Sequence, residues 1–417
     1  MYSAIRPTRR SFLAATAAVA FPAIIPARVF GANDRVITGH IGVGGQGTSN
    51  LKAFLKNAGA LCDVDSNRLS LAAKVVAAIG SPCDTFSDYR KLLDRKDIDA
   101  VVISTPDHWH ALTTIHACQA GKDVYCEKPL SLTIAEGRAM VEAARKHKRV
   151  VQTGSQQRSS GEFRTACELV RSGKIGGVKS ILVGLPASNF ASPAVPDSEP
   201  PAELDYDFWL GPAPTLPYNA KRVHYNFRFF WDYSGGQMTN FGAHHIDIAQ
   251  WALNMDDSGP ISTEGTATFD PKHEYEVTST CRVTHTYADG VTLVVGQLEK
   301  DIPGGLTFLG TGGSIRVDRG KVTSTIDEIV KSNPPVEDVH LEVSTNHHAN
   351  FLDCIKTRKQ PIADVSVGHR SATVCHLGNI AIRLGRKVQW DPSAEKFVGD
   401  EEANRMISRP YRSPWAV

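Results

Sequence analysis

Ile41-Gly42-Val43-Gly44-Gly45-Gln46-Gly47 decides the fold, because it ends an apolar run and opens a helical one. Upstream, V-I-T-G-H-I-G-V from Val36 reads as a strand, and Ser49 to Asn57 begins a helix. Gly42, Gly44 and Gly47, with Gly45 between them, have no side chains to obstruct a tight strand-to-helix turn. Backbone N–H groups can therefore approach a pyrophosphate at the helix N-terminus. Asp63 closes the second strand, Ala60-Leu61-Cys62, about 20 residues further on, where a carboxylate accepts hydrogen bonds from an adenosine ribose. A free carboxylate there repels a 2′-phosphate and favours NAD, while Arg68 nearby keeps NADP open.

Strand runs and helical runs continue to alternate as far as Gln152. Residues 97–105 and 122–127 read as strands, and Ala111–Ala120 and Ile134–Lys148 as helices. That alternation predicts an α/β fold with a doubly wound parallel sheet of the Rossmann kind. The strand at 122–127 runs directly into Glu127-Lys128-Pro129. In series with the glycine turn, this implies a nicotinamide cofactor with a lysine held beside its reactive ring. Inside a cleft and near that positive ring, Lys128 is expected to have a lowered pKa and to share a proton with a substrate hydroxyl.

S-T-P-D-H-W-H-A at 104–111 and A-G-K-D-V-Y-C-E-K-P-L at 120–130 resemble motifs of the glucose–fructose oxidoreductase / inositol dehydrogenase (Gfo/Idh/MocA) family. The resemblance runs from about Asp34 to Pro392. It implies that Ser104, Thr105, Pro106 and His110 line the cofactor cleft, and that Glu127 and Lys128 lie against the nicotinamide ribose and the substrate. It also implies a cis Pro129. The segment Gly235-Gly236-Gln237-Met238-Thr239-Asn240-Phe241-Gly242-Ala243-His244-His245-Ile246-Asp247 resembles the family's G-G-x-x-x-D-x-G-x-H-x-x-D. His244 then matches the catalytic histidine that takes the substrate hydroxyl proton. Asn240 replaces the aspartate that orients and charges that histidine. An amide can still fix the tautomer but brings no charge, so a weaker base is expected unless Asp247 compensates.

Past Gly154 the texture changes. A stretch rich in Pro, Ala and Ser at 186–217 precedes an aromatic-basic run from Tyr218 to Tyr233. Tyr225, Arg228, Trp231 and His245 are the substrate-side candidates; packing explains the aromatic side chains equally well, and His245 fits a packing role too. After Glu264, period-2 runs separated by Asp289-Gly290 and Gly312-Gly313 predict an open, mostly antiparallel sheet. In the family that sheet floors the substrate site and often forms a dimer face, which implies a homo-oligomer. Two helical stretches follow between His347 and Leu384. The resulting division is 1–32, a targeting segment; 33–154, the Rossmann domain; 155–392, the sheet domain with C-terminal helices; and 393–417, a tail.

Thr8-Arg9-Arg10-Ser11-Phe12-Leu13, followed by an alanine-rich apolar run to Ala27, resembles a twin-arginine export signal. It predicts cleavage between Ala23 and Ala32, export machinery as a partner and a periplasmic location. Lys+Arg 46 against Asp+Glu 44 gives a net charge of +2, which supplies no footprint for nucleic acid. No apolar run reaches the roughly 20 residues a bilayer span needs. The eight cysteines contain no C-x-x-C pair, and His108, His110, His244 and His245 have no Cys or close carboxylate to complete a metal set.

These readings converge on an exported NAD(P)-dependent oxidoreductase that transfers hydride at a secondary hydroxyl of a sugar or polyol. The periplasm has no pool to recharge NAD, so the cofactor is expected to stay bound and be recycled internally. Two alternatives are a redox-neutral enzyme that cleaves or epimerises glycosides through transient oxidation, and a nucleotide-bound sensing protein.

Overall fold

Buried, continuously apolar strands flanked by helices are the hallmark of a parallel sheet covered on both faces, and the chain builds one first. In this computed structural model the described residues are 35–190, 195–272, 274–326, 328–329 and 339–416. The export reading of residues 1–32 lies outside them. Six strands, β1 (Thr38–Ile41), β2 (Ala58–Cys62), β3 (Asp84–Phe86), β4 (Ala100–Ile103), β5 (Asp123–Cys126) and β6 (Val151–Thr153), pair in parallel in the order β3-β2-β1-β4-β5-β6. The order reverses between β1 and β4, and a ligand crevice opens at the carboxyl ends of the strands beside such a point.

The first helix spans Gly45–Ala53, beginning four residues before the expected Ser49 because Gly44 is its N-cap. The helix Ser66–Ala77 starts at Asp65, whose carboxylate accepts from the backbone N–H groups of Asn67 and Arg68. Thr133 and Glu136 form a reciprocal capping box at the head of the helix Ile134–Lys146.

The second sheet has nine strands: β7 (Val178–Leu185), β8 (Ser262–Phe269), β9 (Thr278–Thr286), β10 (Thr292–Gln297), β11 (Gly305–Gly310), β12 (Ser314–Asp318), β13 (Lys321–Ser324), β14 (Val388–Asp391) and β15 (Lys396–Phe397). Their order is β13-β12-β11-β7-β10-β9-β8-β14-β15. The sheet is mixed but mostly antiparallel; β7 and β10 run parallel, Ser180 facing Thr292 and Leu185 facing Gln297. Its inner face packs through Val183, Val283, Leu293 and Phe308 against the helices Gly161–Arg171 and Gly242–Ala252. The C-terminal helices are His347–Thr357 and Val365–Leu384. The segment after Pro392 is not loose: β15 joins the sheet, Tyr411 donates to Glu136 at 2.7 Å, and Trp415 packs edge-on against Trp109 at 4.9 Å. All eight cysteines are free thiols, and no helix among the described residues is long and apolar enough to cross a membrane.

The helix Asp107–Gln119 fastens the first sheet's domain to the segment between β7 and β8 at its first turn. Asp107 Oδ2 accepts from Ser234 Oγ at 2.6 Å, and both His108 Nε2 and Trp109 Nε1 lie 3.0 Å from the Trp209 carbonyl. The cleft lies along this seam.

Candidate active site

A cleft of about 650 Å³ runs from the glycine turn to the start of the helix Gly242–Ala252. At one end Gly42 has φ +80°, and a Cβ there would lie 2.8 Å from the Ser104 carbonyl. A Cβ on Gly47 would fall 2.0 Å from the Gly42 carbonyl oxygen. No acidic residue occupies the first turn of the Gly45–Ala53 helix, so its N–H groups and dipole are open to an anion. Asp63 accepts from the Val43 N–H at 2.8 Å and from the Asp65 N–H at 2.9 Å, which fixes its carboxylate against the turn with lone pairs to spare. Burial raises its pKa, partly offset by those bonds and by Arg68. Arg68 pairs with Asp65 at 3.4 Å and lies over Gly44.

Thr105, Pro106 and His110 line the middle of the cleft. Thr105 Oγ1 is buried without a partner. His110 points Nδ1 at the Pro129 carbonyl (2.8 Å) and Nε2 at the Thr105 carbonyl (2.9 Å). Both partners can only accept, so the geometry requires a hydrogen on each ring nitrogen. Burial opposes that charge, yet Cys126, Asp107 and the Pro129 carbonyl raise the pKa to about 10. His110 is therefore committed to those two carbonyls and is no free donor into the cleft.

Glu127 sits at the centre of a group of amides. Its Oε1 accepts from Asn50 at 2.9 Å, Gln156 at 3.2 Å and Gln46 at 3.4 Å, and Asn50 also donates to Ser104 Oγ at 2.9 Å. Gln46, Asn50 and Gln156 were not legible as site residues. The spacing of Gln46 and Asn50, one helical turn apart behind the glycines, was the available signal.

At the far end the Lys128–Pro129 peptide is cis, and Lys128 Nζ donates to the Asn240 carbonyl at 2.9 Å and to Asn240 Oδ1 at 3.0 Å. Burial lowers the Lys128 pKa; Glu127 opposes the shift, while Arg228 and Arg319 reinforce it. His244 lines the same end, with Nδ1 unpartnered and a pKa held well below 6.5 by burial, Lys128 and Arg319. Asn240 does not fix the tautomer of His244. Its Nδ2 donates to Gln237 at 3.1 Å, and its Oδ1 accepts from Lys128 and from Arg228 Nε at 3.4 Å. Asp247 does not compensate either, because Arg158 and Ser371 occupy its carboxylate.

Of the substrate-side candidates, Tyr225 and Arg228 line the cleft. Trp231 does not. It lines a separate cavity of about 330 Å³, its indole held between the guanidinium groups of Arg383 (3.6 Å) and Arg409 (4.0 Å), so neither face is free to stack on a sugar. His245 is fully buried against Phe241 and Phe163, one helix position past His244 and hence facing the core. Asp107, Trp209, His224 and Phe227 line the cleft instead.

Two family descriptions match the chain. One is the NAD-binding Rossmann fold of the Gfo/Idh/MocA oxidoreductases, over residues 37–155, and the other is their C-terminal alpha/beta domain, over 190–417. The chain belongs to the Gfo/Idh/MocA oxidoreductase family. Among curated relatives, an uncharacterized oxidoreductase of Bacillus subtilis is 27% identical over 60% of this chain and 64% of its own length. An inositol 2-dehydrogenase of Salmonella paratyphi B is 31% identical over 33% of this chain and 42% of its own. A glycosyl hydrolase family 109 protein of Shewanella pealeana is 38% identical over 27% and 26%. The chain thus spans under two thirds of the length of each of these relatives. Among solved structures, the WlbA dehydrogenase of Bordetella pertussis in complex with NADH and UDP-GlcNAcA has a TM-score of 0.64 at 19% identity, covering 86% of this chain and 99% of that one. Aldose-aldose oxidoreductase of Caulobacter crescentus has a TM-score of 0.63 at 18% identity, covering 85% and 99%.

The residues of this Gfo/Idh/MocA member fit NAD. The Gly42–Gly47 turn leaves backbone room for a pyrophosphate, Asp63 stands ready for a ribose, and Thr105 Oγ1 is an orphan hydroxyl in the wall. Gly47→Ala is expected to abolish nucleotide binding, because the new methyl would displace the Gly42 carbonyl. Titration of the variant with NAD checks this, and binding at wild-type affinity would place the nucleotide elsewhere.

Proposed function

We propose that this chain is an exported NAD-linked oxidoreductase that acts at a secondary hydroxyl of a sugar or polyol and keeps its cofactor through the catalytic cycle. The observation that carries the reading is the convergence of Lys128, Asn240 and His244 at the end of the cleft that begins with the glycine turn. A bound nicotinamide supplies the hydride acceptor in one half of such a cycle and the donor in the other.

The chain's own groups handle the proton. Two of the three N–H bonds of a Lys128 ammonium are spent on Asn240. The third is left for a substrate oxygen, and the lowered pKa makes it easier for Nζ to give up and regain that proton than for a solvated lysine. His244 is neutral in the same range and can accept a proton, weakly, with no carboxylate bonded to its ring. Glu127 accepts from three amides through Oε1 and from the Lys128 backbone N–H through Oε2 at 3.3 Å, which fixes the backbone from which Lys128 projects. The twin-arginine-like N-terminus supports export, and a homo-oligomer through the nine-stranded sheet belongs to the same proposal. The alternative redox-neutral glycoside chemistry gains support from the glycosyl hydrolase family 109 relative.

Protein purified without added nucleotide and then denatured is expected to release near-stoichiometric NAD(H), measured by absorbance and mass. An empty protein that binds NAD weakly would sink the captive-cofactor reading. The pH profile offers a second check. A depressed His244 pKa puts the acid limb of kcat/KM below the ordinary histidine value of about 6.5. Asn240→Asp adds a negative charge that stabilises protonated Lys128 and imidazolium, so both pKa values rise and the limb moves to higher pH. A limb that stays in place would remove both groups from the titrating step.

A further inference from the structure

Arg228 is held more tightly than a solvated side chain at a cleft mouth needs to be. Its guanidinium lies between the rings of Tyr225 (4.7 Å) and Phe227 (4.6 Å). Nη1 donates to the Tyr225 carbonyl at 3.0 Å and Nε to Asn240 Oδ1 at 3.4 Å. Nη2 donates to no described residue, and among the described residues no carboxylate pairs with the group. The nearby acids are committed elsewhere: Asp107 accepts from Ser234, and Glu127 from its amides.

A half-buried guanidinium with fixed orientation, no carboxylate bonded to it and a second cation nearby at Lys128 is a costly arrangement unless an anion completes it, since buried Asp107 acts on both only at a distance. The planar fork matches two coplanar oxygens, so it selects a carboxylate over a single hydroxyl. We propose that the substrate is an acidic sugar, a uronate or aldonate, whose carboxylate is clamped by Arg228 while a hydroxyl of the same molecule meets Lys128. This rests on the oxidoreductase reading for the hydroxyl and adds the charge of the substrate. Tyr225, 56% exposed, then forms the rim over which the sugar enters.

The test uses the nucleotide-loaded enzyme with D-glucuronate, D-galacturonate and D-gluconate, each against its neutral counterpart. Calorimetry reads binding, and absorbance of the reduced nucleotide reads turnover. At least one acid is expected to bind about tenfold or more tighter than its neutral counterpart, equivalent to about 1.4 kcal/mol, and to weaken as salt is added. Arg228→Gln removes the preference, bringing the ratio near unity, while Arg228→Lys keeps the charge, loses the fork and falls between.

Neutral sugars binding as tightly as the acids would overturn the proposal, and so would Arg228→Gln weakening both classes equally or no acid binding at all. An acid that binds through Arg228 without any change in nucleotide absorbance keeps the clamp and removes the oxidoreductase reading. Oxidation of neutral sugars with no acid binding does the reverse.

Discussion

Lys128→Met is expected to lower turnover by about a hundred- to ten-thousandfold, the range for losing a positioned proton-transfer group. Methionine keeps most of the volume of the lysine stem, so the loss reports the Nζ atom rather than a cavity. The Asn240 carbonyl and side-chain oxygens lose the Lys128 donor, leaving Oδ1 the longer bond from Arg228, which adds a desolvation cost at the same end of the cleft. The glycine turn and Asp63, which have room for the pyrophosphate and the ribose, lie at the opposite end and are untouched by the substitution. Released NAD(H) per chain is therefore expected to stay close to wild type while kcat falls. Small primary amines added to a Lys128→Ala variant, which vacates the stem as well, should restore part of the rate, with efficiency rising as the amine is deprotonated. A variant that turns over normally would remove Lys128 from the chemistry and leave His244 as the proton acceptor.

Arg158→Ala is expected to cost about 3–5 kcal/mol of folding stability, as measured for buried ion pairs that lose one partner. Arg158 is 2% exposed and donates through Nε to Asp247 at 2.8 Å and through Nη2 to Asp256 at 2.7 Å, with its guanidinium 5.1 Å from the Trp251 ring centre. Alanine leaves the Asp247 carboxylate buried with Ser371 as its remaining side-chain partner. The damage also reaches the site. Arg158 belongs to the short turn Gln156–Ser159, and Asp247 lies in the helix Gly242–Ala252, which carries His244. Urea unfolding with the nucleotide bound measures the loss. The double replacement Arg158→Met with Asp247→Leu should be less destabilising than Arg158→Ala, because no buried charge then stands alone. A small loss in the single variant would mean that water reaches Asp247.

The first half of the molecule was legible because its signals are local. A glycine at positive φ, a strand ending in an acid and alternating runs of apolar and helical residues depend on neighbours in the chain. The short edge strands β3 and β6 were not read in the sequence, and the strand order came only from the pairing. The open sheet was readable in its turns and alternation, but not in the pairing of β7 with β10, which joins segments more than a hundred residues apart.

The site divides along the same line. Glycine turn, Asp63 and Lys128 announce themselves in sequence, since each sits at the carboxyl end of a strand where a doubly wound sheet opens. Trp231 and His245 look like site residues in sequence and are not, because an aromatic or an imidazole has the same letter in a cleft as in a core. The amides around Glu127 come from residues 46, 50 and 156, and their role exists only after three elements converge.

By itself, the sequence determined that a Rossmann sheet forms, where its nucleotide turn lies and which lysine follows the strand β5; these are requirements on local backbone and residue spacing. Tertiary structure alone decided that Asn240 bonds Lys128 rather than His244, that Arg228 is clamped with no carboxylate bonded to it, and that His110 bridges two carbonyls. Those are matters of distance and burial between residues remote in the chain, and folding is what sets them.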